Sequence, residues 1–255
     1  MESVSVVVIT FNEERHIARC LESVKKVADE IVVLDSFSTD RTVDIARSFG
    51  ATVYQEEFAG YVSQKNRALE FAKNNYVLCL DADEALSAEL VGSILIAKRG
   101  LGLRAYKMSR KAFYCGKFIR HGSWYPEPKL RLFDKRVLHW GGLDPHDRVI
   151  APASMRVGTL SGDLLHYICE TVGEHKIRSE NFSGIAAESL YKQGQKTNWV
   201  KIIGSPTWFF FTDYFVRCGF LSGWRGWRIA TIQTRYHYAK YRKLLRLWLG
   251  GGKLN

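Results

Sequence analysis

The stretch Tyr76–Glu84 reads YVLCLDADE, an apolar run followed at once by acidic residues. The apolar part, Tyr76–Leu80, is typical of a strand buried on both faces of a sheet. In an extended chain the side chains of residues i and i+2 point the same way, so Asp81 and Asp83 can face one site at the carboxyl end of this strand. Paired carboxylates suit Mg²⁺ or Mn²⁺, which proteins commonly hold together with substrate phosphates. An acidic loop with a helix-capping role is the alternative interpretation.

Upstream of this stretch, strand-like and helix-like patterns alternate, which predicts an α/β fold with a mostly parallel sheet flanked by helices. A further helix is expected after Ser87, whose side chain can cap its first turn. The elements predicted before it are the strands Val4–Thr10, Glu30–Leu34 and Thr52–Tyr54 and the helices 13–25, 39–49 and 63–74, the last capped by Ser63.

Short polar side chains and carboxylates follow the first two strands, at residues 10–14 and 35–40. Because the carboxyl ends of parallel strands meet at one edge of the sheet, this rim can hold a nucleotide. A dinucleotide fold would place a glycine-rich turn after the first strand, but no glycine lies between Met1 and Phe49. A nicotinamide dehydrogenase is therefore disfavoured, and a phosphate-binding P-loop is absent as well.

Beyond Arg104 the pattern changes to short strands and turns rich in aromatic and basic residues, which predicts the substrate half. We expect a catalytic domain at 1–195, composed of a nucleotide half, 1–103, and an acceptor half, 104–195, and a helical extension at 196–255. Strands are predicted at 105–109, 129–133 and 137–140, and a helix from about 170 to 192.

The positive charge of the chain is concentrated at one end. The net charge is +11, but residues 201–255 contain ten Lys or Arg and the single acidic residue Asp213, a net of +9. The same stretch holds 13 of the 33 aromatic residues. A segment that is both cationic and aromatic is typical of a membrane interface.

Neither a signal peptide nor a transmembrane span is expected from the sequence. The first apolar run, Val4–Ile9, is too short for a signal peptide, and the run Trp208–Leu221 is interrupted by Asp213 and Arg217. The five cysteines include no Cys-x-x-Cys pair, which favours a reducing cytosol over a disulfide framework. We therefore expect a cytoplasmic protein that is peripheral on the inner face of the cytoplasmic membrane.

Taken in order along the chain, the motifs resemble the family 2 inverting glycosyltransferases, which have the GT-A fold. Within that family the chain is most similar to the lipopolysaccharide core β-glucosyltransferases, over about residues 3–245. The motifs that carry the resemblance are VVVITFNEE (6–14), IVVLDS with STD (31–40), QKN (64–66), LDADE (80–84), RHGSWYP (120–126), KLRLF (129–133) and GDLLHY (162–167).

The resemblance implies a UDP-sugar site and a divalent cation, Mg²⁺ or Mn²⁺. It implies that Asp83 is the main metal ligand, that Asp81 lies near the ribose and the metal, and that Asp35 accepts a hydrogen bond from the uracil edge. Helix capping is the alternative role for Asn12 and Asp35, and a solvated charge is the alternative for Lys65. The residues implied to border the nucleotide-sugar are Thr10, Asn12, Glu13, Asp35, Gln64, Lys65, Asn66, Asp81 and Arg131.

An inverting transfer needs a base that takes the proton of the acceptor hydroxyl. The resemblance places this base at Asp147, within the pair His146-Asp147 where relatives commonly have His-Glu. Glu127 and Asp144 are the rival candidates. The acceptor itself is expected at the aromatic side chains of Trp124 and Tyr125, on which sugar rings can stack, and at His146; core packing is an equal interpretation for Tyr125.

The function expected from these features is transfer of a hexose, by resemblance glucose, from a UDP-sugar to a lipid-linked saccharide such as lipopolysaccharide core. The expected partners are this donor, this acceptor and an anionic membrane surface, without nucleic acid. The alternatives are a polyprenyl-linked O-antigen or capsule acceptor, a nucleotidyltransferase, and a non-catalytic protein that binds nucleic acid through the basic tail of a degenerate transferase core. The identity of the sugar and the oligomeric state are left open.

Overall fold

A computed structural model describes residues 2–100, 102–144 and 146–250 of the 255-residue chain. The chain divides into two compact units. The first comprises residues 1–111, 127–142 and 146–167, and the second comprises 112–126, 143–145 and 168–255.

The strands that the structure describes are β1 (Val4–Thr10), β2 (Glu30–Asp35), β3 (Thr52–Gln55), β4 (Tyr76–Asp81), β5 (Glu84–Leu86), β6 (Ala105–Tyr114), β7 (Lys117–Phe118), β8 (Glu127–Asp134), β9 (His139–Leu143), β10 (His146–Ile150) and β11 (Gly158–Cys169). The first unit is built on a large sheet in which the strand order is β3-β2-β1-β4-β8-β6-β11-β5. The pair β9 and β10 forms a separate small sheet.

The strands β1 to β4 are parallel, as the alternating pattern predicts. Thr10 pairs with Asp35 across β1 and β2, and Ile9 pairs with Asp81 across β1 and β4. The residues that follow these strands therefore gather at one edge of the sheet. β8 runs antiparallel both to β4 and to β6. The α/β class and the parallel order of the N-terminal strands are thus confirmed.

The helices described in the first unit are α1 (Ile17–Val24), α2 (Thr42–Ser48), α3 (Tyr61–Phe71) and α4 (Ala88–Lys98). Ser87 caps α4, since its hydroxyl accepts a hydrogen bond from the backbone N–H of Leu90. The predicted cap at Ser63 is wrong. Gly60, with a φ of 102°, brings the chain into α3 two residues earlier, and Lys135 ends the helix by donating to the carbonyls of Leu69 and Ala72.

The strand predicted at residues 137–140 is displaced towards the C-terminus. The backbone N–H of Leu138 donates to the carbonyl of Asp134, and the N–H of Arg136 donates to the Asp134 carboxylate. These bonds form a turn, so β9 begins only at His139.

Apolar side chains cover both faces of the parallel sheet. One cluster includes Val6, Val8, Leu21 and Leu78, and the other includes Val7 and further residues from β2, β4 and α3. Each such fully buried aliphatic side chain contributes about 1.5–3 kcal/mol. This double burial explains why β1 and β4 are continuous apolar runs.

The second unit is mainly helical, as predicted beyond residue 170. It contains β7 and the helices α5 (Val172–Lys192), α6 (Trp199–Phe211) and α7 (Trp224–Leu249). A π-helical turn, Thr212–Val216, and a 3-10 turn, Gly219–Ser222, join α6 to α7. Across the residues described, we find no helix that is long and apolar enough to cross a membrane.

Candidate active site

Two cations hold the carboxylate that ends β4. Lys65 Nζ lies 2.9 Å from Asp81 Oδ1, and Arg131 Nη2 lies 3.0 Å from Asp81 Oδ2. Burial would raise the pKa of Asp81, but the positive charges of Lys65 and Arg131 outweigh it and hold that pKa well below its usual range. Asp81 is therefore an anion at neutral pH.

The same lysine reaches a second carboxylate. Lys65 Nζ donates to Asp147 Oδ2 over 2.8 Å and lies 4.5 Å from the centre of the Trp140 ring. Burial lowers the pKa of Lys65, but the adjacent charges of Asp81 and Asp147 reverse the effect and raise it. Residues from α3, β4 and β10 thus meet at one ammonium group.

Asn66 binds the backbone of Trp140, the residue whose ring lies against the Lys65 ammonium. Its side-chain amide donates to the carbonyl of Trp140 and accepts from the Trp140 backbone N–H, each over 2.9 Å. The guanidinium of Arg131 also lies over the Trp140 ring, 5.2 Å from its centre. Asn66, predicted to border the nucleotide, therefore also supports the side chains of Lys65 and Arg131.

Arg131 continues the charge network towards Glu127. Its guanidinium lies 2.8 Å from Glu84 Oε1, and Arg110 bridges Glu84 and Glu127 over 3.3 and 2.8 Å. Burial would raise the pKa of Glu127, but Arg110 and Lys129 lower it to about 2. Glu127 is thus held by two cations.

Asp83 has a different partner. β4 ends at Asp81, and residues 82–83 form the turn into β5, so the extended geometry expected for the Asp-x-Asp motif does not hold. Asp83 Oδ2 lies 3.2 Å from His166 Nε2 of β11, and both side chains are nearly buried. His166 has no role in the site predicted from the sequence, although it lies in the GDLLHY motif (162–167) that supports the resemblance.

The chemistry of this edge fits a divalent cation. Among the described residues, no group of three or more His, Cys, Asp or Glu side chains is arranged to hold a metal ion. Asp83, with the imidazole of His166 beside it, is a carboxylate donor that substrate phosphates would complete, whereas both oxygens of Asp81 are held by Lys65 and Arg131.

The turns after β1 and β2 are tied together by side chains predicted to border the nucleotide. Asn12 Oδ1 accepts from the backbone N–H of Thr39 over 2.8 Å, and Asp35 accepts from Ser38 and from Gln55 Nε2. Both side chains thus bind turns and cap neither α1 nor α2, whose N-cap residues are His16 and Arg41, so the alternative role of helix capping is wrong. The place of Asn12 beside the nucleotide and the contact of Asp35 with a uracil stay predictions.

Three further predicted residues belong to the same rim. The backbone N–H of Glu13 donates to Thr42 Oγ1 over 2.8 Å, and Gln64 Nε2 donates to Ser36 Oγ over 3.2 Å. The hydroxyl of Thr10 is buried without a hydrogen-bond partner, which leaves one polar atom at the end of β1 for a ligand.

The predicted acceptor residues Trp124 and Tyr125 lie in the second unit. The Trp124 ring packs against the rings of Tyr114 and His175, with centres 5.4 and 5.1 Å away. Asp144, one rival base, also belongs to this unit, where its carbonyl accepts from Ser189. The side chain of His146 lies outside the described residues.

The chain is similar to known glycosyltransferases. The model of glycosyl transferase family 2 matches residues 5–160. The chain is 32% identical to an uncharacterized glycosyltransferase of Rickettsia bellii, over 96% of this chain and 86% of the relative. It is 28% identical to the lipopolysaccharide core biosynthesis glycosyltransferase LpsC of Rhizobium meliloti, over 86% and 84% of the two chains.

Among solved structures, S. aureus TarS 1-349 shares the fold, with a TM-score of 0.51 over 99% of this chain and 93% of TarS at 16% identity. The mixed sheet with flanking helices is accordingly a GT-A fold with a helical C-terminal part. Because the family model matches residues 5–160 and a glycosyltransferase relative is 32% identical over 96% of this chain, the chain belongs to glycosyl transferase family 2.

Proposed function

We propose that this glycosyltransferase moves a hexose from a UDP-sugar to a lipid-linked saccharide with inversion at the anomeric carbon. The observation that carries the proposal is the single ammonium of Lys65, which joins Asp81 at the nucleotide edge to Asp147, the candidate base. Donor site and base are thereby linked within one hydrogen-bonded group.

The donor lies along the carboxyl edge of β1, β2 and β4. Thr10, Asn12, Glu13, Asp35 and Gln64 border the nucleoside, and Lys65 and Arg131 face the diphosphate. Asp83 would hold Mg²⁺ or Mn²⁺, with Asp81 close to the metal and His166 beside Asp83. When bound, the cation offsets the negative charge that develops on the leaving UDP.

Asp147 acts as the general base. As the acceptor oxygen forms its bond to the anomeric carbon, the bond from that carbon to the UDP oxygen breaks on the opposite face, and the hydroxyl proton passes to an Asp147 oxygen. Lys65 orients the carboxylate of Asp147 for this step. Glu127 is less suited because two cations, Arg110 and Lys129, bind it and lower its pKa to about 2.

The acceptor is a saccharide carried on a lipid, and glucose is the donor sugar that the resemblance favours. The relative LpsC, named as a glycosyltransferase of lipopolysaccharide core biosynthesis, supports this class of acceptor. A polyprenyl-linked O-antigen or capsule intermediate is the second candidate. We propose that the enzyme works on the inner face of the cytoplasmic membrane, because residues 201–255 carry a net charge of +9.

The test is release of UDP from a panel of UDP-sugars, with and without Mn²⁺ and a lipid-saccharide extract. We expect release that depends on both additions, and the product anomer reports inversion. Asp147→Asn should retain UDP binding and lose turnover by a factor of about 10²–10⁴. Glu127→Gln and Asp144→Asn are the matched controls.

Turnover in Asp147→Asn close to that of the wild type would remove Asp147 as the base. If no UDP-sugar is consumed and the chain instead binds nucleic acid tightly with a strong dependence on salt, the transferase proposal fails in favour of the binding alternative.

A further inference from the structure

The segment Trp208–Trp227, which we call the tip, exposes many large apolar side chains. It comprises the end of α6, the π-helical turn, the 3-10 turn and the start of α7. Trp208 is 66% exposed and Leu221 is 59% exposed. The large side chains most relevant here are Trp208, Phe211, Phe215, Leu221, Trp224 and Trp227.

Within residues 201–255 the charge is almost entirely of one sign. Asp213 is the single acidic residue between Lys201 and Asn255, and it is 2% exposed. The tip therefore presents rings and arginines to solvent without an exposed carboxylate. A second copy of the same surface would be repelled by its like charge, whereas an anionic bilayer attracts it, at about 1 kcal/mol for each Lys or Arg near the surface.

The buried Asp213 connects the tip to the loop that carries the acceptor residues. The backbone N–H of Ser123 donates to the Asp213 carboxylate, and the N–H of Gly122 donates to the carbonyl of Arg217 over 2.9 Å. Both loop and tip belong to the second unit. The loop preceding Trp124 is thus hydrogen-bonded to the π-helical turn.

Three glycines let these segments approach at backbone distance. A Cβ on Gly122 would lie 3.1 Å from Asp213 Oδ1, and one on Gly219 would lie 2.7 Å from the Asp213 carbonyl. A Cβ on Gly226 would lie 1.9 Å from the carbonyl oxygen of Gly219. The loop at Gly122, the 3-10 turn and the start of α7 therefore pack closely against one another.

We propose that the tip inserts its rings into the headgroup zone of an anionic bilayer, and that its bond through Asp213 makes membrane docking and the placement of the Gly122–Tyr125 loop a single event. Trp and Phe bury their rings at that depth while Arg side chains meet lipid phosphates. Asp213 is then a positioning residue for a lipid-linked acceptor. This last step rests on the proposed function, but the docking itself does not.

The docking is tested by flotation of the full chain with vesicles of phosphatidylcholine containing 30% phosphatidylglycerol, a fraction on the order of that in anionic membranes. We expect binding that falls with added salt and is weak on pure phosphatidylcholine. The double variant Leu221→Ser/Trp224→Ser should lose binding at least about tenfold. Ile177→Ser, an equally exposed apolar residue on α5, is the matched control and should bind as the wild type.

If the double variant floats as the wild type does, or if the wild type ignores anionic vesicles at low salt, the tip is not a membrane surface. Vesicle-independent association of two copies, or binding to RNA that competes with vesicles, would likewise overturn the choice of a bilayer. None of these measurements uses a sugar donor, so their failure is distinct from failure of the transferase proposal.

The connection to the loop is tested by hydrogen exchange on the wild type. We expect the amides of Gly122 and Ser123 to exchange more slowly when vesicles are bound, and unchanged exchange would refute the connection. Asp213→Ala should raise the KM for a lipid-linked acceptor while leaving the KM for the donor unchanged. Asp213→Asn, which keeps an acceptor oxygen, should restore much of the loss.

Discussion

Lys65 Nζ lies 2.8 Å from Asp147 Oδ2 although the two residues are 82 positions apart in the sequence. The same nitrogen lies 2.9 Å from Asp81, and the Lys65 side chain is only 6% exposed. We predict that Lys65→Met reduces turnover at least about 100-fold, because the candidate base loses the cation that orients it. Lys65→Arg should retain part of the activity.

The control for this variant is Lys73→Met, since Lys73 is 83% exposed and lies just beyond the same helix. Steady-state kinetics with saturating donor and metal provide the measurement. Turnover of Lys65→Met within threefold of the wild type would contradict the role of Lys65.

The pair Asp83 and His166 predicts a specific change in metal affinity. Replacing His166 with Ala removes the imidazole that lies 3.2 Å from the Asp83 carboxylate. We expect the Mn²⁺ concentration for half-maximal activity to rise about 10–100-fold, as is typical when a group that supports a metal ligand is lost. Titration of activity with Mn²⁺ measures the change, and the exposed His139→Ala is the control. An unchanged titration would remove His166 from the metal site.

The lowered pKa of His175 makes the stability of the protein depend on pH. Burial, together with the nearby charge of Arg178, lowers the pKa of His175 to about 4, whereas an unfolded histidine titrates near 6.5. Between these two values the unfolded chain binds the extra proton, so the free energy of unfolding falls as the pH falls. We expect His175 to account for a loss of about 2 kcal/mol between pH 7 and pH 5.

Urea unfolding at both pH values measures this loss. His175→Gln, which can keep a hydrogen bond to Tyr114, should show a smaller difference between the two pH values than the wild type. Equal differences in the two proteins would show that His175 does not carry the effect.

We predict that loss of the Asn66 side chain lowers the stability of the protein. Asn66→Ala leaves both the N–H and the carbonyl of Trp140 without their side-chain partners. We expect the free energy of unfolding to fall by about 1–3 kcal/mol. Chemical denaturation provides the measurement, with the exposed Asn75→Ala as the control, and a change under 0.5 kcal/mol, the scale of a neutral surface substitution, would count against the role.

The parallel half of the sheet could be predicted because β1 and β4 are apolar along almost their whole length, a pattern that burial on both faces requires. The two ends of helix α3 could not be predicted from the sequence. They depend on Gly60 at one end and on Lys135 at the other, and Lys135 comes from a distant part of the chain.

The individual candidates for the site could also be predicted, but their partners could not. Local spacing brought Asp81 and Asp83 together, while the turn at residues 82–83 gives them different neighbours. The contacts of Lys65 with Asp147 and of Asp83 with His166 span 82 and 83 residues. The first contact depends on the packing of α3 against β10 and the second on the pairing of β11 with β5, and no local pattern encodes either.

The register of β1 limits where this enzyme can change without losing its chemistry. β1 pairs with β2 on one side and with β4 on the other. One residue inserted within β1 would shift Thr10 by about 3.3 Å past both neighbours and turn its side chain to the opposite face. Insertions in the turns beyond the strands carry no such penalty, so variation in donor or acceptor preference among related chains should be concentrated in those turns.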